Sequence, residues 1–339
     1  MKNLLLICFL FFTACSTVDI VRTGPDKNED WRVVHLLGYE NNKDLDTLAS
    51  HLPKLRLQGI NIIIVEVDYN FDFKSFPELK AKDDVITKDK AKWFAEECKK
   101  NDIRLAIQFQ CLGHQSWAKT TFPLLTKYPH LDVTPGLFPE NKDIYCREWD
   151  PTNPEVYKYV FPLMGEIIDA FEADLFHVGM DEVFLLGSKH SKSTYGQNPA
   201  ELYAKAVNDI YDFLVKEKNV EMMMWGDRFI DAAKIDYGEW EASANGMAPA
   251  INMVPKDIII CDWHYEERDS YPSVQMFIDE GFRVLPTSWK RVGPTKVLIN
   301  QSYEIKDEKM LGHLFSTWGR VDLFKFESLQ EGLKLLKTK

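Results

Sequence analysis

The sequence predicts a (β/α)8 barrel, an α/β fold formed here by a single domain. Eight short apolar runs rich in β-branched residues alternate with longer segments that have the three-to-four-residue spacing of amphipathic helices. Strands separated by helices prefer parallel pairing, and a sheet of eight such strands can close on itself. No obvious linker interrupts the 339 residues, which favours one barrel-sized domain over two smaller ones.

The eight predicted strands share a short length and a continuous apolar character. They are Val33–Leu37, Ile60–Val67, Ile103–Phe109, Leu175–Gly179, Val220–Trp225, Ile258–Trp263, Phe282–Pro286 and Leu311–Trp318. Runs of this kind are typical of strands that are buried on both faces, as in a parallel sheet.

Helical spacing is clearest in three of the intervening segments. The first has Asp44 as a candidate N-terminal cap and Gly59 as a candidate stop. Its apolar stripe is Leu45, Leu48, Leu52 and Leu55; the later stripes are Val156, Val160, Leu163 and Ile167, and then Leu202, Ala206, Ile210 and Phe213. Two other segments, around Asp231–Tyr237 and Pro294–Tyr303, have poor helical periodicity, so an open doubly wound sheet remains the alternative fold.

The N-terminal residues have the pattern of an export signal. Residues 1–15 contain a basic start, an apolar run too short for an ordinary membrane span, and small residues just before Cys15. This pattern resembles a bacterial lipoprotein signal, which implies cleavage before Cys15 and lipidation of its thiol; an ordinary secretory signal cut nearby is the alternative. We therefore expect a signal peptide over residues 1–14, a polar tether over 15–30 and a catalytic barrel over 31–339. The expected location is the periplasm or the cell surface, with the lipid anchor as the only membrane contact.

Charge and cysteine content limit the partners. A formal net charge of −11 argues against binding to nucleic acid, whereas a glycan remains compatible. After removal of the signal, Cys98, Cys111, Cys146 and Cys261 remain besides Cys15, and their wide spacing resembles no metal site. Cys98 and Cys261 fall in a helical and a strand pattern and are expected to be buried free thiols. We expect neither a metal nor a cofactor.

The fourth predicted strand ends in two adjacent carboxylates, Asp181 and Glu182. Because alternate side chains of a strand share a face, His177, Gly179 and Asp181 should line up, with the glycine leaving room below the carboxylate. An Asp-Glu pair is usually solvated and carries no function by itself.

Other polar and aromatic residues follow the remaining predicted strands. In a barrel, the carboxyl ends of the strands meet at one mouth. Tryptophans at four strand ends would provide the apolar wall on which a sugar ring stacks, while carboxylates and amides take its hydroxyls. The candidate substrate-binding residues at this mouth are His114, His177, Trp225, Asp227, Trp263, Tyr265, Trp289 and Trp318.

The stretch from Phe176 to Gly187 closely resembles the His-x-Gly-x-Asp-Glu signature of family 20 glycoside hydrolases, the β-N-acetylhexosaminidases. Its Phe-Leu-Leu-Gly tail looks most like the hexosaminidase D branch. The resemblance implies an exo-acting, retaining enzyme that removes a terminal N-acetylglucosamine or N-acetylgalactosamine from a glycan. It makes Glu182 the general acid and Asp181 the residue that orients the substrate's own acetamido group, which attacks C1 and forms an oxazolinium ion. His114 and His177 match positions that support this pair in the family.

Several residues depart from the family pattern. Met180 replaces a common glycine, no arginine follows the first strand, and Arg320 stands where a carboxylate often occurs. Trp289 lies near the usual place of a tyrosine that holds the acetamido carbonyl, so Tyr265 is the substitute candidate. Arg320 could meet an acidic aglycone.

Two other interpretations of the function remain open. The first is a glycan-binding lipoprotein whose barrel no longer catalyses. The second is a different retaining glycosidase that pairs Asp181 or Glu182 with a distant acid such as Glu66, Asp68 or Asp227.

Overall fold

The computed structural model describes residues 29–339, and its centre is a closed barrel of eight parallel strands. The strands are β1 Trp31–Leu36, β2 Ile62–Glu66, β3 Arg104–Cys111, β4 Leu175–Gly179, β5 Glu221–Trp225, β6 Ile259–Trp263, β7 Arg283–Ser288 and β8 Gly312–Ser316. Each strand pairs with its neighbours in chain order, and β8 pairs with β1, with Trp31 beside Gly312. The predicted barrel is confirmed and the open sheet is wrong, because β1 is bonded on both sides.

Helices cover the outside of this barrel. They are α1 Asn42–Gln58, α2 Lys88–Lys100, α3 Pro123–Lys127, α4 Glu155–Phe171, α5 Pro199–Tyr211, α6 Gly238–Glu241, α7 Pro272–Asp279, α8 Val292–Glu304 and α9 Glu327–Leu336. The segment around Pro294–Tyr303 therefore forms a regular helix despite its weak pattern. Residues 231–237 do not, and β5 is joined to β6 through the one-turn α6 and two 3-10 segments, Asp227–Phe229 and Ala248–Asn252.

Helix α1 has the predicted buried stripe but a different cap. The four leucines of the predicted stripe are fully buried. The cap is Asn41, whose side chain accepts from the backbone N–H of Asp44 at 3.0 Å, while the carboxylate of Asp44 accepts from the N–H of Glu40 at 3.1 Å. The prediction that Asp44 caps the helix is therefore wrong, because the N-cap is Asn41 and Asp44 lies in the first turn. Both side chains can accept a backbone N–H at the start of a helix, so the sequence alone did not distinguish them. Gly59 ends the helix at φ 105° as predicted.

Apolar side chains form two layers on either side of the strands. One layer lies between the strands and the helices, and the other fills the barrel interior with residues such as Val33, Ile64, Met223 and Leu314. The interior is thus a packed core that supports whatever lies at the carboxyl ends of the strands.

Long connections follow β3 and β4, as the sequence predicted, and residues 67–87 form a further long connection after β2. Residues 112–154 contain a small antiparallel hairpin, Ser116–Trp117 with Thr120–Thr121, together with α3, and residues 180–198 join β4 to α5. Both leave the carboxyl ends of their strands and lie over the barrel mouth.

The remaining sequence predictions concern thiols and the membrane. Cys98, Cys111, Cys146 and Cys261 are all buried and free, which confirms the expectation for Cys98 and Cys261. Within residues 29–339, no helix is long and apolar enough to cross a membrane. Cys15 and the signal and tether segments that precede residue 29 lie outside the described residues.

Candidate active site

The carboxylate pair lies just beyond the end of β4, where the backbone leaves the strand conformation. Gly179, Met180 and Glu182 have φ values of 67°, 73° and 50°, in the left-handed region. Asp181 therefore does not continue the strand alternation that the sequence suggested. These turns instead bring both carboxylates over the barrel mouth, and such non-glycine conformations are concentrated at functional sites.

Asp181 is almost completely buried, yet its surroundings favour the ionised form. Gln110 Nε2 donates to its Oδ1 at 2.7 Å, and His114 Nε2 lies 3.3 Å from its Oδ2. Burial alone would raise the pKa of Asp181, but the charge of His114 and the two contacts hold it below its usual value. Asp181 is accordingly a carboxylate that can stabilise positive charge.

His114 joins the two acids. Its Nε2 lies 3.2 Å from Glu182 Oε2 as well as 3.3 Å from Asp181 Oδ2. Burial alone would lower the pKa of His114, but the charge of Asp181 and the contacts with both carboxylates raise it well above the usual value. The imidazolium therefore stabilises the ionised form of Asp181.

The same three side chains have the composition of a small cation site. One donor atom each from His114, Asp181 and Glu182 lies within 4.8 Å of the other two. Protonation of His114 removes its ability to ligate a metal, because the ring nitrogen must be neutral for that purpose. The donor set thus fits a proton-bearing cluster better than a resident metal.

Asp227 fixes the backbone beneath Glu182. Its Oδ2 accepts from the N–H of Glu182 at 3.0 Å and from Arg228 Nε at 2.6 Å, and its Oδ1 accepts from Trp263 Nε1 at 3.2 Å. Because protein donors engage both oxygens of this buried side chain, we interpret Asp227 as a positioning residue, and its contact with sugar hydroxyls stays a prediction.

Two further predicted sugar contacts are buried in the barrel interior. Trp225 has no exposed surface and packs against His177 and Trp318, at ring-centroid separations of 4.4 and 5.5 Å. His177 is equally buried, and its Nδ1 accepts from the N–H of Gly179 at 3.1 Å. Both side chains point into the barrel from strands β4 and β5, so they form a floor below the mouth and do not offer a face to ligand.

The other predicted aromatic residues gather at the mouth. Tyr265 packs against Trp263 and Trp289, at 4.8 and 5.4 Å between ring centroids, and its hydroxyl accepts from Trp318 Nε1. Trp263 is nearly buried, whereas Tyr265, Trp289 and Trp318 are partly exposed. The structure thus brings these four predicted residues together, three of them open to solvent.

Sequence reasoning missed several residues of the site. Gln110 lies four residues before His114 in the sequence. It faces Asp181 because a bulge in the β3–β4 pairing shifts the register after Gln108. Glu148 accepts from the N–H groups of Phe184 and Leu185, at 2.5 and 2.8 Å, and so holds the chain after Glu182. An isolated glutamine near a strand end, or an isolated glutamate in a long connection, carries no local signal of such a role.

Arg320 lies on the strand-one side of the mouth. It donates to the carbonyl of Gly38 at 3.1 Å, pairs with Asp44, and lies over the ring of Tyr39 at 4.5 Å. Its charge is therefore already partly paired by Asp44, and contact with an acidic aglycone stays a prediction.

The comparisons with known proteins agree with this geometry. The family model of the glycosyl hydrolase family 20 catalytic domain matches residues 53–292, which is more than half of the chain. No curated protein matches the chain.

Solved structures with the same fold include three named relatives. The β-N-acetylhexosaminidase from Bacteroides fragilis NCTC 9343 has 12% identity and a TM-score of 0.60, with 90% of this chain and 65% of that chain covered. A chitobiase from Flavobacterium johnsoniae has 14% identity and a TM-score of 0.61, with 90% of this chain and 48% of that chain covered. An exo-β-N-acetylglucosaminidase from Vibrio harveyi, in complex with N-acetylglucosamine, has 14% identity and a TM-score of 0.60, with 90% of this chain and 54% of that chain covered. The chain thus spans about half to two thirds of the length of these proteins, and the likeness shows a shared fold.

Proposed function

The chain belongs to glycosyl hydrolase family 20, and from this membership we propose that it is an exo-acting β-N-acetylhexosaminidase that removes a terminal N-acetylglucosamine or N-acetylgalactosamine from glycans. Proteins named for this activity share its fold. The observation that carries the proposal is the arrangement of two neighbouring carboxylates, Asp181 and Glu182, against one imidazolium at the barrel mouth.

The two acids have separate duties in the proposed mechanism. Glu182 donates its proton to the glycosidic oxygen as the C1–O bond breaks. The carbonyl oxygen of the substrate's acetamido group attacks C1 and forms an oxazolinium ion, while the anionic Asp181 accepts the acetamido N–H and stabilises the positive charge. Water then attacks C1, Glu182 takes its proton, and the configuration is retained.

The properties of the neighbouring acids disfavour a protein nucleophile. Burial raises the pKa of Glu66 well above its usual value and that of Asp68 to about 7, which works against the ionised form that a nucleophile must have. Asp227 has both oxygens engaged by protein donors. These observations weigh against a retaining glycosidase that uses a distant second carboxylate.

A non-catalytic glycan-binding barrel is also disfavoured by the site. Placing the buried carboxylate of Asp181 beside Glu182 is costly unless charge and hydrogen bonds compensate, and here His114 and Gln110 provide that compensation. Sugar capture alone does not require such a cluster.

The proposal is tested with chromogenic N-acetylglucosaminide, N-acetylgalactosaminide, glucoside and galactoside. The expected result is turnover of the acetamido sugars only, with inhibition by a thiazoline mimic of the oxazoline. Glu182→Gln should lower kcat by roughly 100- to 10,000-fold. Asp181→Asn should lower kcat strongly while KM changes less. Turnover of plain glucoside, or full activity of Glu182→Gln, would contradict the mechanism.

We also propose that the protein is an exported lipoprotein, anchored through Cys15 at the periplasmic or outer cell surface. Support comes from the basic, apolar and small-residue pattern of residues 1–15. Expression in a bacterial host followed by detergent partitioning and mass spectrometry of the N-terminal peptide tests this. Cys15→Ser should move the protein from the detergent phase to the aqueous phase; an unlipidated wild-type N-terminus would overturn the proposal.

A further inference from the structure

A buried ionic cluster lies behind Tyr265, apart from the carboxylate pair at the mouth. It centres on His264, which precedes Tyr265 and has no exposed surface. His264 Nδ1 lies 2.9 Å from Glu241 Oε2, and its Nε2 lies 3.0 Å from Asp262 Oδ1. Because an ionised carboxylate can only accept hydrogen bonds, both ring nitrogens must carry hydrogen to bond both acids. His264 therefore joins α6 and β6 as an imidazolium.

The charges of this cluster are balanced inside the protein. Arg268 Nη1 donates to Glu241 Oε2 at 2.7 Å, so two cations face two carboxylates. Ser273 Oγ lies 2.8 Å from His264 Nε2, a spacing that resembles a serine nucleophile and its base. Ser273 has no exposed surface, however, and its hydroxyl donates to Asp262 Oδ2 at 2.7 Å. No substrate can reach this serine, so the cluster is not a second catalytic site.

Aromatic rings shield the imidazolium from water. The ring of Tyr271 stacks on His264, with 4.9 Å between centroids and 14° between planes, and the centroid of Tyr237 lies 4.5 Å away. Arg268 in turn lies over the ring of Tyr237 at 4.5 Å. Hydrogen bonds between charged groups are stronger where water is excluded. The cluster is thus suited to hold the carboxylate of Glu241 in one orientation.

One bond connects this cluster to the barrel mouth. Glu241 Oε1 accepts from the backbone N–H of Tyr265 at 3.2 Å, while Oε2 is the oxygen that contacts His264. Tyr265 is partly exposed at the mouth, and its hydroxyl accepts from Trp318 Nε1, which leaves its own hydrogen to donate to a ligand. Tyr265 is therefore fixed at its backbone and at its phenol, which lowers the entropy lost when a ligand binds.

We propose that Glu241 and His264 are positioning residues for the hydrolase reaction and act through Tyr265. This role rests on the proposed function and adds two buried residues to it, neither of which reaches the substrate. The imidazolium aims the carboxylate of Glu241 at the N–H of Tyr265, and that bond fixes where the phenol stands in the mouth. Because charged hydrogen bonds are stronger than neutral ones, the ion pair holds this aim better than an amide would.

The kinetic test is a double-mutant cycle on kcat/KM for the chromogenic N-acetylglucosaminide. Glu241→Gln replaces the ionic hold by a neutral amide, and Tyr265→Phe removes the hydroxyl. Each should lower kcat/KM by about tenfold, and the double variant should be no slower than Tyr265→Phe alone, because Glu241 acts only through Tyr265. Additive losses would overturn the proposal. Glu239→Gln, the same exchange at an exposed residue of α6, is the control and should leave kcat/KM unchanged.

A spectroscopic signature tests the same role without turnover. The indole N–H of Trp318 donates to the hydroxyl of Tyr265, so its NMR resonance, assigned by substitution, should shift in Tyr265→Phe. The shift should have the same direction in Glu241→Gln and in His264→Gln. The indole resonance of Trp93, on α2 outside the barrel, should stay in place, whereas a general loosening of the fold would move it.

The outcomes separate this role from the proposed function. If wild type hydrolyses no acetamido sugar, the function is wrong, and the Trp318 resonance alone decides whether the pair positions Tyr265. If wild type is active but that resonance stays in place in Glu241→Gln, the positioning role is wrong while the function stands.

A second variant decides the case in which Glu241→Gln does not fold. Arg268 is partly exposed, and Arg268→Gln releases only one of the two bonds to Glu241 Oε2. The expected result is a roughly threefold fall in kcat/KM together with a shift of the Trp318 resonance. Unchanged kinetics and an unmoved resonance in this variant would overturn the positioning role.

Discussion

The side-chain amide of Gln110 occupies the space that Gly179 leaves open beneath the carboxylate pair. A Cβ atom on Gly179 would lie 1.9 Å from Gln110 Oε1, closer than any real contact. From that position Gln110 Nε2 donates to Asp181 Oδ1 at 2.7 Å. The glycine is therefore required by a neighbouring side chain as well as by its φ of 67°.

Gly179→Ala should displace Gln110 and with it Asp181. We expect kcat to fall by roughly 100-fold, since small misplacements of reacting groups have effects of that size. Gly136→Ala is a matched control, because Gly136 has φ 75° but no atom within 4 Å of an added Cβ. Both variants should lose roughly 1 kcal/mol of unfolding free energy from the left-handed backbone. Equal kinetic effects of the two substitutions would contradict the role given to Gln110.

Gln110→Leu should change the pH dependence of the reaction. The hydrogen bond from Gln110 contributes to holding the pKa of Asp181 below its ordinary value of 3.8. Asp181 acts as a carboxylate, so activity is present above its pKa and is lost as the pH falls through it. Removing the donor raises that pKa, and the acid limb of the kcat profile should move to higher pH. An acid limb that stays in place would show that another group controls it.

Asp227→Asn should affect both stability and catalysis. Arg228 is completely buried and would lose its charged partner, which should lower the free energy of unfolding by roughly 3 kcal/mol. The N–H of Glu182 would lose a charged acceptor, so kcat should fall more than KM rises. Urea denaturation and steady-state kinetics measure the two effects. Asp231→Asn, in the same connection but partly exposed, should leave both nearly unchanged.

His264 should make the stability of the protein depend on pH. Burial alone would lower its pKa, but the charges of Asp262 and Glu241 raise it from 6.5 to about 9. A raised histidine pKa means that the native state binds the proton more tightly than the unfolded state. The stabilisation is therefore complete below pH 6.5 and is lost as the pH rises to about 9.

The size of this effect follows from the shift, which corresponds to roughly 3 kcal/mol. Urea denaturation of wild type and His264→Gln at pH 6 to 9.5 should show a decline in wild type that the variant lacks. Parallel curves for the two proteins would exclude His264 as the cause.

Arg320→Ala should leave the choice of aglycone unchanged. The guanidinium is partly exposed and paired with Asp44, so its removal should cost at most about 1 kcal/mol of unfolding free energy. The ratio of kcat/KM for substrates with acidic and neutral aglycones should equal that of wild type. A selective loss with acidic aglycones would support the interpretation made from the sequence.

The sequence predicted the barrel well because its signals are local and repeated. All eight strands lie within the predicted runs or within two residues of them, and β4 has the predicted bounds. Strand burial and helical periodicity are properties of contiguous residues, so they can be read without knowledge of distant contacts. The exception is the segment Pro294–Tyr303, whose weak periodic pattern lies within the regular helix α8.

The sequence by itself determined the fold class and predicted Asp181 and Glu182 as the catalytic pair, because strand ends in a parallel barrel must converge and the motif around the pair is contiguous. Only the tertiary structure decided what each neighbouring side chain does. Trp225 and Asp227 are equally close to a strand end, yet one is buried in the barrel interior and the other is held by Arg228 and Trp263. Gln110 and Glu148 reach the site from positions that show no signal in the sequence. Side-chain direction and hydrogen-bond partners depend on contacts between distant residues, which no local pattern encodes.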